Sequence, residues 1–235
     1  MEKRRRSLSY GRPMLIYRGH LPEGRGEDFV EGALHLLEHT KFLHATHLEL
    51  APFSPTVSPL LVCTLVSFAH KEGLGVIFEW DVSVPRQVGE ESLSEGALGW
   101  FDGFHADGLK ILAPPSDLDG GSRLLSLIQD MNIAVFAKYP EALMMAEDIA
   151  DLHQTSPVYM GGAGFNYKCN MRWQQDVIYY MSLAPRFRPW NHDKLVFPFV
   201  EAFSENYILP IPAPDFLYAK VPFEDAERLS SLRGF

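Results

Sequence analysis

Short apolar runs, each closed by a polar turn and followed by helical periodicity, recur along this chain. That alternation constrains the fold more than any other feature. The clearest case is Ala142-Leu143-Met144-Met145-Ala146, which follows Pro140 and stops abruptly at Glu147-Asp148. An apolar run of this length between turn signals reads as a strand buried on both faces, as in a parallel sheet. Strands alternating with helices imply parallel βαβ units. The carboxyl ends of such strands are where α/β folds gather reactive groups, so Glu147 is the first candidate functional residue.

Seven runs of this kind can be placed, at residues 14–17, 46–50, 75–80, 108–112, 142–146, 164–168 and 206–211. Between them, Phe29, Val30, Ala33, Leu34 and Leu37 mark the apolar face of one helix, and Leu61, Leu65 and Phe68 that of another. Ser58-Pro59 opens the second as N-cap and first-turn residue, and His70, Lys71 and Gly73 close it. A third helix, from Ser122, buries Leu124, Leu125, Ile128, Met131 and Val135, and Asn170 caps a fourth. Pro198 breaks the helix expected before the last strand.

At 235 residues and 46% hydrophobic content the chain can bury one sizeable core. The organisation expected is a disordered basic terminus over 1–11, a barrel domain over 12–220 and a tail over 221–235. The net charge of −9 excludes a general nucleic-acid binder, whose footprint is basic. Lys3-Arg4-Arg5-Arg6 is followed by no apolar segment, and the longest apolar run, 60–69, is too short to span a bilayer. With Cys63 and Cys169 far apart, the cysteines read as reduced thiols of a cytoplasmic protein without a membrane partner, one disulfide being the alternative.

A longer pattern lies around the fifth run. Pro140-Glu141-Ala142-Leu143, Ala146-Glu147, Gly161-Gly162-Ala163-Gly164-Phe165-Asn166-Tyr167-Lys168, Asn170-Met171-Arg172-Trp173, Tyr180-Met181-Ser182-Leu183 and Ala202–Pro210 occur in this order. Together they resemble the catalytic barrel of bacterial 1,4-α-glucan (glycogen) branching enzymes of the α-amylase superfamily. The resemblance implies an α/β fold, a (β/α)8-type (TIM) barrel, here trimmed to seven of eight strands. An unclosed barrel exposes strand edges, so a homodimer through the open edge is expected. The implied partner is an α-glucan, glycogen or starch-like, and no cofactor is implied.

Branching enzymes resemble retaining glycosidases. One carboxylate attacks the anomeric carbon, a protonated carboxyl about 5 Å away releases the leaving oxygen, and a sugar 6-hydroxyl captures the glycosyl-enzyme. In the family the nucleophile is the last Asp of a D-G-x-R-x-D run ending strand four, and the acid/base is the Glu after strand five. A third carboxylate lies in an S-H-D-E run after strand seven. Matched to Asp107-Gly108-Leu109, the first run puts Lys110 at the Arg, a substrate-binding position, and Leu112 at the nucleophile. Glu147 matches the acid/base, and the third carboxylate falls on Pro214. The Asp after strand three reads Glu79. On this register Asp107 sits roughly 16 Å from residue 112, at about 3.3 Å per residue, at the wrong end of the barrel. Asp117, Asp119 and Asp215 are the other carboxylates that stand near the expected places.

His35 and His39, with Glu38 between them and His44 and His47 following, are the one cluster of metal-ligand types. Without an H-E-x-x-H arrangement they read as a solvated helix edge, and no metal is expected. Gly161-Gly162-Ala163-Gly164 lacks the Lys-Ser/Thr of a phosphate loop and reads as a backbone turn. Trp100 and Trp190 are the aromatics least tied to a core. The expectation is a branching-enzyme-like protein with lost or greatly reduced transfer activity. The alternatives are a non-catalytic glucan-binding or regulatory module and an active transferase or hydrolase with relocated carboxylates.

Overall fold

The structure, a computed structural model, describes residues 13–22, 27–52, 57–81, 100–107, 119–147, 157–196 and 206–211. The chain divides into two compact units, Met1–Asn166 and Tyr167–Phe235. In the first unit come β1 (Ile16–Gly19), α1 (Glu27–Phe42), β2 (His47–Leu50), α2 (Pro59–Lys71) and β3 (Gly75–Asp81). They are followed by β4 (Gly103–Asp107), α3 (Asp119–Lys138) and β5 (Leu143–Glu147). Every pairing is parallel and spatial order equals chain order, β1-β2-β3-β4-β5. A sheet wound in one direction, with no reversal of strand order, is the barrel type of α/β winding and not the doubly wound type. The second unit holds β6 (Tyr167–Cys169), α4 (Met171–Ser182) and β7 (Tyr207–Ile208), with β6 parallel to β7.

One strand differs materially from expectation. The segment paired between β3 and β5 is Gly103–Asp107, five residues before the run 108–112, which lies outside the described residues. Gly103-Phe104-His105-Ala106-Asp107 alternates as a strand should, and Gly103 explains the register. A Cβ there would collide with the backbone carbonyl oxygen of Leu143, so only glycine lets β4 approach β5 at this point.

Side chains of the first sheet sort into two faces with the period of two that a strand imposes. Leu48, Leu50, Val76, Phe78, Phe104, Ala106, Met144 and Ala146 form one core with the helices. From α1 this core receives Phe29, Ala33 and Leu37, while Val30 and Leu34 are exposed. From α2 it receives Val62, Leu65, Val66 and Ala69, with Phe68 exposed, so the buried stripe is rotated by one residue from the expected face. Ser58 opens α2 through its extended backbone without a side-chain cap bond, and Gly73 ends the turn after it at φ +82°. Among the described side chains of α3, Ile128 and Val135 are the buried apolar ones, and Leu125 and Met131 pack partly against the same core. The opposite face of the sheet carries His47, Glu49, Ile77, Glu79, His105, Asp107, Leu143, Met145 and Glu147.

Side-chain amides set the end of the first unit. Asn166 donates its side-chain N–H to the Ala142 carbonyl (2.8 Å) and accepts from the Met144 N–H (2.8 Å). Gln129 and Asn132 of α3 donate to the carbonyls of Gly162 and Ala163, both at 2.9 Å. With Gly164 at φ +81°, this segment is a tethered loop, so the next strand starts at Tyr167 and not at Gly164. Asn166→Ala leaves the Ala142 carbonyl and the Met144 N–H without this partner and is expected to cost about 2 kcal/mol, readable as a lower urea midpoint with an unchanged m-value. In the second unit Asn170 caps α4 as expected, accepting from the Trp173 N–H at 2.8 Å.

At the amino ends of the strands, Asp102 accepts from the Val76 N–H (2.8 Å) and pairs with His70 Nε2 (2.7 Å), which fastens the end of α2 to the start of β3 and β4. Beside it His47 is fully buried against Gly75, with Nδ1 2.8 Å from Thr46 Oγ1 and no hydrogen-bond partner for Nε2 among the described residues. Burial pushes its pKa below the ordinary 6.5, opposed only by the field of Asp102. Below pH 6.5 the unfolded chain therefore binds a proton that the folded chain refuses, and the stability contributed by neutral His47 is lost as pH falls towards its folded value. Urea midpoints are expected to fall between pH 7.5 and 5. His47→Leu should shrink that fall; an identical fall in the variant would exclude His47 as its source.

Candidate active site

Two strands end together in carboxylates. The β4–β5 register pairs Gly103 with Leu143, Phe104 with Met144, His105 with Met145 and Ala106 with Ala146, so the next pair along it is Asp107 and Glu147. On the other side Asp107 pairs with Asp81, the last residue of β3. Asp107 and Glu147 belong to the sheet face opposite the helices, at the carboxyl ends of their strands. Glu147 is buried and Asp107 half-buried.

Beneath this pair lies a network of charges on the same face. Arg18 of β1 meets Glu79 of β3 with two guanidinium nitrogens, Nε on Oε2 and Nη2 on Oε1, the latter at 2.8 Å. Its Nε is also 3.7 Å from Oε1 of Glu49 on β2, the oxygen that His105 Nδ1 of β4 approaches at 3.0 Å. Both glutamates are almost fully buried, at 5% exposure for Glu49 and 3% for Glu79. Such groups are retained in an interior only when paired. Hydrogen bonding to Glu79, with the fields of Glu49 and Asp107 added, holds the Arg18 guanidinium above its ordinary value.

Of the site residues expected from sequence, Glu147 stands where it was placed, at the end of β5. Lys110, Leu112 and Pro214 lie outside the described residues, as do Asp117 and Asp215. Asp119 begins α3. The placement of Asp107 is corrected: it ends β4 at the level of Glu147, because the paired strand is 103–107. Glu79 is not a strand-end carboxylate but the partner of Arg18. Trp190 is exposed and Trp100 packs partly into the core. Among the described residues no group of three or more His, Cys, Asp or Glu is arranged to hold a metal ion. His39 instead meets Tyr17 edge-on and stacks on Phe42, and His47 is buried on the sheet. Cys63 and Cys169 are not joined by a disulfide.

The signal for Asp107 was present in the sequence. Asp102-Gly103-Phe104-His105-Ala106-Asp107 fits D-G-x-R-x-D with His105 in place of Arg, and it overlaps the run that begins at Asp107. Strand pairing places Gly103–Asp107, from the earlier of the two runs, in the sheet between β3 and β5. Arg18, Glu49 and His105 carried no motif of their own; only their common face brings them together.

No protein-family model matches the chain. It is similar over its whole length to the 1,4-alpha-glucan branching enzyme GlgB of Jannaschia sp. (strain CCS1), at 27% identity, covering 46% of that protein. A segment of 137 positions, 54% of this chain and 21% of the relative, is 39% identical to GlgB of Bacillus cereus (strain AH820). The chain thus spans about half the length of the curated relatives it matches across its full extent. The Jannaschia alignment runs over 325 positions against 235 residues, so at least 90 of its positions are gaps in this chain. Among solved structures, the alpha-amylase from H. orenii superposes with a TM-score of 0.50 at 14% identity, covering 83% of this chain and 60% of that one. That likeness shows the fold: a (β/α)8-type barrel, trimmed, with seven strands among the described residues. The chain is similar to the bacterial 1,4-alpha-glucan branching enzymes, of which it spans about half, and its fold is like that of an alpha-amylase barrel.

Proposed function

We propose that this protein acts on α-glucan by retaining glycosyl transfer, with Asp107 as nucleophile and Glu147 as acid/base. The observation that carries the reading is the shared register of β4 and β5. Neighbouring strands lie about 4.8 Å apart. Two carboxylates at one level on one face are then separated by roughly the 5 Å that a retaining mechanism uses. An Asp107 oxygen attacks the anomeric carbon as the Glu147 carboxyl gives its proton to the leaving glucan oxygen. Glu147, now a carboxylate, takes the proton of the acceptor hydroxyl as that oxygen displaces Asp107. A 6-hydroxyl acceptor gives a branch and water gives hydrolysis.

On this reading a hydrocarbon side chain at Leu112 does not remove the attacking group, because that role belongs to Asp107. Similarity to branching enzymes supports glucan as the substrate class. A cytoplasmic location and pairing of two copies through an open edge go with it as further proposals. A second reading, a glucan-binding barrel with little or no turnover, draws on Pro214, which leaves the third carboxylate position without an acid.

Incubation with amylose separates the two. Transfer lowers the iodine absorbance, and Glu147→Gln is expected to slow that change by about 10²–10⁴-fold. An unchanged absorbance together with co-sedimentation on glycogen would replace the catalytic reading by the binding one.

A further inference from the structure

Resting on the assignment of Asp107 as nucleophile, we infer that Arg18 is its positioning residue: a guanidinium delivered from β1 that holds Asp107 ionised in place of the Arg that the D-G-x-R-x-D run lacks here. The residue at that place in the run is His105, and its Nδ1 is committed to Glu49 at 3.0 Å. Arg18 shares that same oxygen, at 3.7 Å, while its other contacts are to Glu79. The guanidinium is therefore held by carboxylates of β2 and β3, and the Glu49 oxygen it shares also holds the ring of His105, two residues before Asp107 on the same face. A positive charge so placed favours the carboxylate over the carboxyl form. The field between Arg18 and Asp107 acts on both partners, and it is among the causes that raise Arg18.

The charged groups around Asp107 are Arg18 on β1, Glu49 on β2, Glu79 and the register partner Asp81 on β3, His105 on β4 and Glu147 on β5. Glu49, Glu79, Asp81 and Glu147 all oppose ionisation of Asp107, and Arg18 is the permanent cation among these groups. Its side chain is half exposed, so its effect is screened more than that of a buried charge, yet it points into the face where Asp107 stands. Glu79 tethers the guanidinium with two nitrogens, which fixes its direction and partly neutralises it.

The test uses the full chain with carbon-labelled aspartate, following the Asp107 carboxyl through a pH titration, alongside the pH profile of kcat/KM on amylose. Arg18→Gln is expected to move the Asp107 titration, and the acid limb of the profile, to higher pH. Arg18→Lys should restore most of that shift. Glu79→Gln, which keeps an acceptor for Arg18 but removes the opposing charge, is expected to move both to lower pH. Opposite signs from two partners of one pair cannot arise from loosened packing. Shifts of the same sign, or none, would overturn the assignment, and if Arg18→Gln does not fold the direction in Glu79→Gln decides alone. The titration reads Arg18 even in a chain without turnover, whereas turnover with an unshifted titration would leave Asp107 as nucleophile and remove Arg18.

Discussion

Asp107→Asn is expected to abolish transfer on amylose, with a loss on the order of 10⁴-fold or more, because an amide cannot form the glycosyl-enzyme that splits the reaction in two. The comparison with Glu147→Gln makes the test specific. An activated aryl glucoside, whose leaving group needs no proton, should still release its aryl group as a burst in the Glu147 variant. In the Asp107 variant no burst should form. Leu112→Asp added to Asp107→Asn is expected to recover nothing, since the paired strand ends five residues earlier. Recovery by that double variant, or full activity in Asp107→Asn, would return the nucleophile to the later register.

The second large effect concerns a residue without a side chain. Gly103→Ala places a methyl group on the Leu143 carbonyl oxygen, which belongs to the backbone and cannot rotate away. Strands β4 and β5 must separate, at a cost of about 1–3 kcal/mol by analogy with overpacked cores. The same separation carries Asp107 away from Glu147 at the far end of the strand. A misplacement of about 1 Å is enough for roughly a hundredfold loss in rate. Urea melts and amylose assays on one preparation should therefore both respond, and kcat should fall more than the folded fraction does. Wild-type kinetics in this variant would mean that the register does not set the carboxylate spacing.

The fold was largely legible because its strands are short, apolar and followed by helices, a pattern that burial on two faces enforces. Ala142–Ala146 is the clearest example, since the next residue is the buried Glu147. Helix faces were read less well. Phe68 and Leu34 are apolar and exposed, and only the neighbours of a helix decide which of two adjacent stripes is covered. The fourth strand was misread because Asp-Gly occurs twice within seven residues, at 102–103 and 107–108, and both copies match the start of the family run. What separates them is the absence of a Cβ at Gly103 against Leu143, a fact about two strands that no local pattern contains. The buried charges were illegible for a similar reason. Arg18, Glu49, Glu79 and His105 come from four strands, and 87 residues separate the first from the last. A period of two gives each its side of the sheet, yet pairing between strands alone decides that they meet.

Asp102 and Asp107 are chemically the same residue five positions apart, and the strand between them gives them unrelated duties. The lower one spends a single oxygen, Oδ2, on both a helix terminus and a backbone amide. Whatever happens at the rim, the foot of the strand stays pinned. A lineage or an engineer can therefore exchange the upper carboxylate, or the loop beyond it, without unmooring the sheet. Barrels of this kind can in this way change or lose a reaction while still folding as before.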